Sequence, residues 1–398
     1  MKIAKNKKGQ LIDIKSSSPN EEYYCPVCNK LMIRNSGSKK KFFSHQHDHS
    51  YDCELKVAKI EKELLNTINN NEINNLSFIE EEILDYDENN ELLKGLNKQQ
   101  IQAVLHNKGT CLTIAGAGAG KTLVLTHRIA YLIQQGVSPS NLLAITFTKK
   151  ASEEMSNRLC NLIGEQGNQV TIGTFHSICY HMIKEQNYID SNVKLIKNWQ
   201  QTKFINEILD TVKNIDWDVK SCLNFISLQK NNMITPDDDL LIPDNMEFLR
   251  RDFEILYSEY EDMKQKENLI DFNDMLLKCY CMLNEDSIIR KYYQDKFKYI
   301  STDEFQDTNN IQFEILKLLL NEEKNLFVVG DDKQSIYAFN FSNVDIMIDF
   351  QKTMKDVKII KLHTNYRSTK NIVDISNKLI LHNKSQLKNN ISASKGYG

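Results

Sequence analysis

The run AGAGAGKT at residues 115–122 constrains this chain more than any other stretch of it. It follows the apolar run Thr110–Ala115, which reads as a buried strand, and opens the amphipathic stretch Leu123–Gln135, which reads as a helix. A strand, a loop of small residues and a helix in that order form a phosphate cradle. Backbone N–H groups of the loop curl around an anion, and the helix N-terminus adds partial positive charge. Ala115, Gly116, Ala117, Gly118, Ala119 and Gly120 are the cradle residues, with Ala115 standing where the generic pattern has glycine. Lys121 is placed to reach the β- and γ-phosphates of ATP, and the Thr122 hydroxyl to ligate Mg²⁺. A Gly/Ala turn that merely packs a helix on a strand would look similar, so a second signal is needed. DEFQDTN at 303–309, after the strand-like KFKYIST, supplies it. Asp303 at the strand's end can hold Mg²⁺, and Glu304 can orient and deprotonate the attacking water.

Around these two signals the chain alternates. Asn141–Phe147, Phe297–Thr302, Asn325–Val329 and Lys358–Leu362 read as further buried strands, with helical patterns between several of them. The expected fold is therefore α/β, a parallel P-loop NTPase sheet covered by helices. Strand signals fade between Cys179 and Arg290, which predicts a mostly helical insertion at 179–290 dividing the motor domain into 96–178 and 291–362. Residues 1–57 are basic and cysteine-containing, and 58–95 are acidic and asparagine-rich, an expected helical linker. Fifty basic residues against 53 acidic ones leave a net charge of −3, so a nucleic-acid site must be a local surface and not a whole-surface polycation. No apolar run is long enough for a spanning helix, and the basic N-terminus lacks the apolar core of a signal peptide. Nine cysteines, an odd number scattered through apolar stretches, read as a reduced, cytoplasmic protein.

From Leu96 to Leu387 the motifs resemble, in order, those of the UvrD/Rep-like helicases of superfamily 1. LNKQQIQAV (96–104) is similar to the Q motif, AITFTKKASEEM (144–155) to motif Ia and TIGTFHSI (171–178) to motif Ib. LIDFNDML (269–276) is similar to a further DNA-side motif, VVGDDKQSIYAF (328–339) to motif III and LHTNYRST (362–369) to motif IV. The resemblance implies that Gln100 reads the adenine edge, Arg128 contacts adenine and Tyr366 stacks on it. It makes Gln334 the sensor between nucleotide and DNA, and Arg367 the arginine finger that neutralises transition-state charge. It assigns Phe147, Thr148, Thr174, Phe175, His176, Tyr337 and Phe339 to single-stranded DNA, where aromatic faces stack on bases without regard to sequence. Asn340 and Phe341 stand where motif III ordinarily continues with arginine and glycine.

Near the N-terminus, Cys25-Pro-Val-Cys28 has metal-knuckle spacing and is followed by FFSHQHDHSYDC ending at Cys53. Two thiolates at that spacing with later His and Cys can close a tetrahedral Zn²⁺ site. The segment resembles the zinc-binding N-terminus of competence CoiA-like proteins, which implies His45 as third ligand and Cys53 as fourth. Phe42 replaces the first histidine of that pattern, and His47 or His49 could substitute.

Two functions compete at this stage. The first, implied by the resemblance, is an ATP-dependent 3′→5′ helicase or translocase acting on single-stranded or 3′-tailed duplex DNA, in repair, recombination or defence. The second is a nucleotide-gated DNA-binding module without motor activity, targeted by the zinc segment. Residues 363–398 read as the start of a second motor domain cut short, since motifs V and VI do not follow. The expectation for these 398 residues alone is weak Mg·ATP binding, very slow hydrolysis and no strand separation.

Overall fold

The computed structural model describes residues 86–398 except 213–214, 216, 338–340, 381, 384–385 and 388, and before residue 86 only the backbone of five short strands. Those strands are β1 (Ile3–Lys5), β2 (Leu11–Asp13), β3 (Tyr23–Tyr24), β4 (Leu31–Ser36) and β5 (Lys41–His45). They form an antiparallel sheet of order β2-β1-β3-β4-β5 within a separate compact unit, Met1–Asp85. His45 ends β5 opposite Met32. Cys25, Cys28 and Cys53 lie outside the described residues, as does the His45 side chain.

The second unit, Tyr86–Gly398, is built on six parallel strands. These are β6 (Cys111–Ala115), β7 (Leu142–Thr146), β8 (Thr171–Thr174), β11 (Tyr299–Thr302), β12 (Leu326–Gly330) and β13 (Lys358–Leu362). The sheet order is β13-β6-β12-β11-β7-β8. Side chains alternate between faces along a strand, so a strand covered on both faces must be apolar throughout. Leu112 and Ile114 enter one core while Cys111 and Ala115 enter the other, and Leu143 and Ile145 part from Leu142 and Ala144 in the same way. One face is covered by α1 (Lys98–Leu105), α2 (Lys121–Gln134) and α3 (Lys149–Ile163). The other is covered by α4 (Phe175–Glu185) and three later helices, α8 (Phe272–Glu285), α9 (Ser287–Lys296) and α10 (Asn310–Leu319).

The insertion is smaller than the sequence predicts. Cys179, Met182 and Ile183 of α4 and Leu276, Met282 and Leu283 of α8 pack on the sheet, so both helices belong to the motor core. A third core of its own runs from Ile196 to Leu269 through α5 (Asn198–Thr211), α6 (Val219–Asn231) and α7 (Arg250–Lys266). Its base is a parallel pair, β9 (Lys194–Leu195) with β10 (Leu269–Ile270), where chain enters and leaves. The linker boundary shifts as well. Leu93 is buried, and His127 Nδ1 lies 2.7 Å from the Leu92 carbonyl, so residues 86–95 are part of the motor unit. After β13 the chain leaves the six-stranded sheet. β14 (Thr364–Asn365) pairs with β15 (Ser392–Ala393) in a small parallel sheet of its own.

Candidate nucleotide site and nucleic-acid face

The P-loop joins the end of β6 to the start of α2 at the carboxyl edge of the sheet, where open α/β sheets bind ligands. Gly118 and Gly120 have φ of +69° and +89°, which only glycine adopts without strain. A Cβ on Gly120 would stand 2.8 Å from Gln100 Nε2, and one on Gly118 2.7 Å from Arg367 Cβ. The cradle is thus held between the Q-motif helix and the NYRS segment. Asn365 Nδ2 donates to the Ala117 carbonyl at 2.8 Å, and the Tyr366 amide donates to the Gly118 carbonyl at 2.9 Å.

The acidic half meets the loop as the sequence order requires. Thr122 Oγ1 donates to Asp303 Oδ2 at 3.3 Å, and Lys121 Nζ lies 2.7 Å from Glu304 Oε2. Burial and the adjacent Glu304 charge push the Asp303 carboxyl up to about 6. A buried acid beside a threonine hydroxyl at a helix N-terminus suits a divalent cation, which would restore its charged form. Glu304 itself sits in the left-handed region at φ +47°, ψ +47°, a conformation costing a non-glycine residue ~1–3 kcal/mol. That backbone turns its carboxylate back across the site.

A chain of amides extends from Glu304. Gln306 Nε2 donates to Glu304 Oε2 at 2.8 Å while its Oε1 accepts from the Asp331 amide at 2.9 Å. Gln334 Nε2 in turn donates to Asp331 Oδ2 at 2.6 Å. Gln334 therefore reaches the Glu304 carboxylate through Gln306 and Asp331. Neither these two nor Asn365 was singled out from the sequence, although each lies inside a motif that was.

Three expected contacts fall elsewhere. Arg128 lies two helical turns beyond Lys121, ~10 Å along the axis, and is fully buried. Its Nε donates to the His106 carbonyl at 3.0 Å, its Nη1 to Ser301 Oγ at 3.3 Å, and its guanidinium stacks 4.5 Å over Phe327. It braces the sheet on the face covered by α1, α2 and α3 and does not line the nucleotide mouth. Gln100, 2% exposed, spends its Nε2 on the Ala119 carbonyl at 3.0 Å and its Oε1 on the Asn97 amide. In this arrangement it buttresses the loop. Phe175 is buried in the core beneath the sheet, which removes it from base stacking. Tyr366 stays half-exposed with its hydroxyl 2.7 Å from Asn97 Nδ2, and Arg367 is exposed beside the loop.

The remaining nucleic-acid candidates gather at the same sheet edge. Phe147 and Tyr337 stack with ring centroids 4.6 Å apart. His176, its imidazole pKa lowered by burial, meets the edge of Phe272 at 6.0 Å, and Phe272 is 58% exposed. Phe272 stands inside LIDFNDML but was not named from the sequence. Thr148 and Thr174 are N-caps, their hydroxyls accepting from Ala151 and Ser177. Phe339 lies outside the described residues. Among the described residues one carboxylate trio, Glu261, Asp271 and Asp274, is close enough to hold a metal. The ammonium groups of Lys230 and Lys264 already lie within 2.5–2.9 Å of those oxygens, so two of the trio's three charges are balanced from within the chain.

A P-loop facing an acidic strand end is the arrangement of a P-loop nucleoside-triphosphate-binding domain. Residues 96–355 match the model of the UvrD/REP helicase N-terminal domain, and the chain belongs to that family. It is similar to the ATP-dependent DNA helicase PcrA of Staphylococcus epidermidis, at 38% identity over 301 residues, and to that of Staphylococcus aureus, at 37%. Each match covers 74% of this chain, which spans 41% of the length of those relatives. No helix among the described residues is long and apolar enough to cross a membrane.

Proposed function

We propose that this chain is the ATP-binding half of a 3′→5′ DNA helicase or translocase that works on single-stranded or 3′-tailed DNA in the cytoplasm. The observation that carries the reading is the facing pair Lys121–Glu304 and Thr122–Asp303, joined through Gln306 and Asp331 to Gln334. When bound, Mg²⁺ would polarise the β- and γ-phosphates of ATP. Asp303 and Thr122 are the residues to hold it, and Lys121 the one to neutralise phosphate charge. Glu304, freed from Lys121, would take the proton of the attacking water. Arg367, next to the cradle, is the candidate arginine finger, and Tyr366 the candidate adenine platform. Phe147 and Tyr337 are the candidate base contacts, with His176 and Phe272 alongside. The N-terminal unit adds a candidate zinc site at Cys25, Cys28, His45 and Cys53, with His47 or His49 as alternatives to His45, supported by the cysteine spacing and the CoiA-like resemblance. The test is phosphate release by the purified protein with and without oligo(dT). Hydrolysis stimulated by oligo(dT) and lost in Lys121→Ala is the expected result, and equal rates in that variant would overturn the assignment.

A further inference from the structure

The insertion touches the catalytic strand end through asparagines. Asn309 caps α10 shortly after Glu304 and donates from Nδ2 to Asn231 Oδ1, at the end of α6, at 2.6 Å. Asn231 Nδ2 donates to the Ser227 carbonyl at 2.8 Å and reaches Asn273 Oδ1 at 3.4 Å. Asn273 Nδ2 closes the circuit on Ser227 Oγ at 2.9 Å. One residue further on, Asn310 donates to Asn232 at 2.9 Å and receives from Asn343 at 3.1 Å.

Both ends of this bridge are stiff. From Phe305 to Asn309 every residue is buried, so the segment carrying Glu304 has no slack to absorb a displacement of α10. On the insertion side, Asn231 follows Lys230, whose ammonium is fixed by Glu261, Asp271 and Asp274. Asp271 and Asp274 cap α8, which presents Asn273 to the bridge and the exposed Phe272 ring beside His176. A buried amide pair has one favourable geometry, whereas apolar packing there would tolerate sliding. The Asn309–Asn231 contact therefore adds to the apolar packing of α8 on α10 a directional polar link between the Glu304 turn and the end of α8 that carries Phe272.

We infer that Asn231 and Asn309 are positioning residues that couple nucleotide occupancy at Glu304 to nucleic-acid occupancy at the His176–Phe272 face. The inference rests on the DNA-dependent reading above, and its test separates the two. The dissociation constant of a fluorescent non-hydrolysable ATP analogue is measured for the full 398-residue chain with and without saturating oligo(dT). Reciprocal titration of oligo(dT) must give the same coupling factor. The wild-type factor is expected to be ~5-fold or more, the ordinary range for coupled sites. Asn309→Ser keeps a good N-cap for Gln312 but is too short to reach Asn231, and Asn231→Ala removes the other half of the bridge. Each variant should bind either ligand alone nearly as wild type while the factor collapses toward one. The double variant should be no worse than either single. Wild-type coupling retained in Asn309→Ser would overturn the inference alone. Loss of oligo(dT) binding in the variants without nucleotide would also overturn it, because the asparagines would then build the face instead of linking it. No coupling in the wild type would overturn the DNA-dependent reading and the inference together.

Discussion

Glu304→Gln separates the two duties that the geometry gives one carboxylate. Glu304, the proposed base, holds Lys121 Nζ at 2.7 Å in the structure. The pair is partly open, with 11% of the lysine side chain and 38% of the glutamate exposed, so solvent screens it and its worth is ~0–1 kcal/mol. The neutral amide oxygen can still accept from Lys121 and Gln306 but no longer attracts the ammonium. Lys121 is then more available to phosphate, and nucleotide affinity should rise by up to ~5-fold. Removal of the base should lower hydrolysis by ~10²–10⁴-fold. Equilibrium titration with a fluorescent ATP analogue reads the first effect and single-turnover phosphate release the second. Lys121→Ala is the opposing control, expected to lose both binding and hydrolysis. Undiminished turnover in Glu304→Gln would remove Glu304 as the base. Weakened nucleotide binding would show that the Lys121–Glu304 contact supports the phosphate site and does not compete with it.

Lys230→Met should destabilise the motor unit by ~3–5 kcal/mol in denaturant unfolding, because it strands buried Asp271 and Asp274 with one remaining ammonium. Burial alone would raise these two carboxyls, but Lys230 and Lys264 hold both below the ordinary range. Their stabilising contribution is therefore present at neutral pH and lost on acidification, so the gap between variant and wild type should narrow below pH ~4. A loss under ~1 kcal/mol at neutral pH would show the cluster to be solvated. Phe147→Ala should weaken oligo(dT) binding by ~1–3 kcal/mol, read by fluorescence anisotropy, with nucleotide affinity unchanged; an unaltered oligo(dT) affinity would assign Phe147 to packing on Tyr337 only. Metal analysis of reduced protein should find one Zn²⁺ per chain, lost in Cys25→Ser without effect on nucleotide binding; metal-free wild type would end the zinc reading.

The sequence by itself determined the elements whose chemistry is local. Strands buried on both faces are largely apolar, so the four central strands are legible, and the edge strand Lys358–Leu362 is legible to the residue from its Ile359, Ile360 and Leu362. The other edge strand, Thr171–Thr174, has no such signal, because it is only half-buried and carries threonines where the central strands carry Leu and Ile. Backbone demands were legible too, since the glycines of AGAGAGKT mark a tight loop, and Gly118 and Gly120 take positive φ there. Only the tertiary structure decided which polar side chains stay available. Helical phase sends Arg128 against the sheet to the buried Ser301, and close packing of the loop uses up Gln100. The extent of the insertion was equally hidden, because α4 and α8 have the same amphipathic pattern whether they cover a helical core or a sheet. Asn309 and Asn273 stand inside the motifs DEFQDTN and LIDFNDML, but nothing in the sequence pairs them with Asn231. Asparagine is abundant throughout this chain, and a buried amide differs from a solvated one only by the neighbour that folding brings to it.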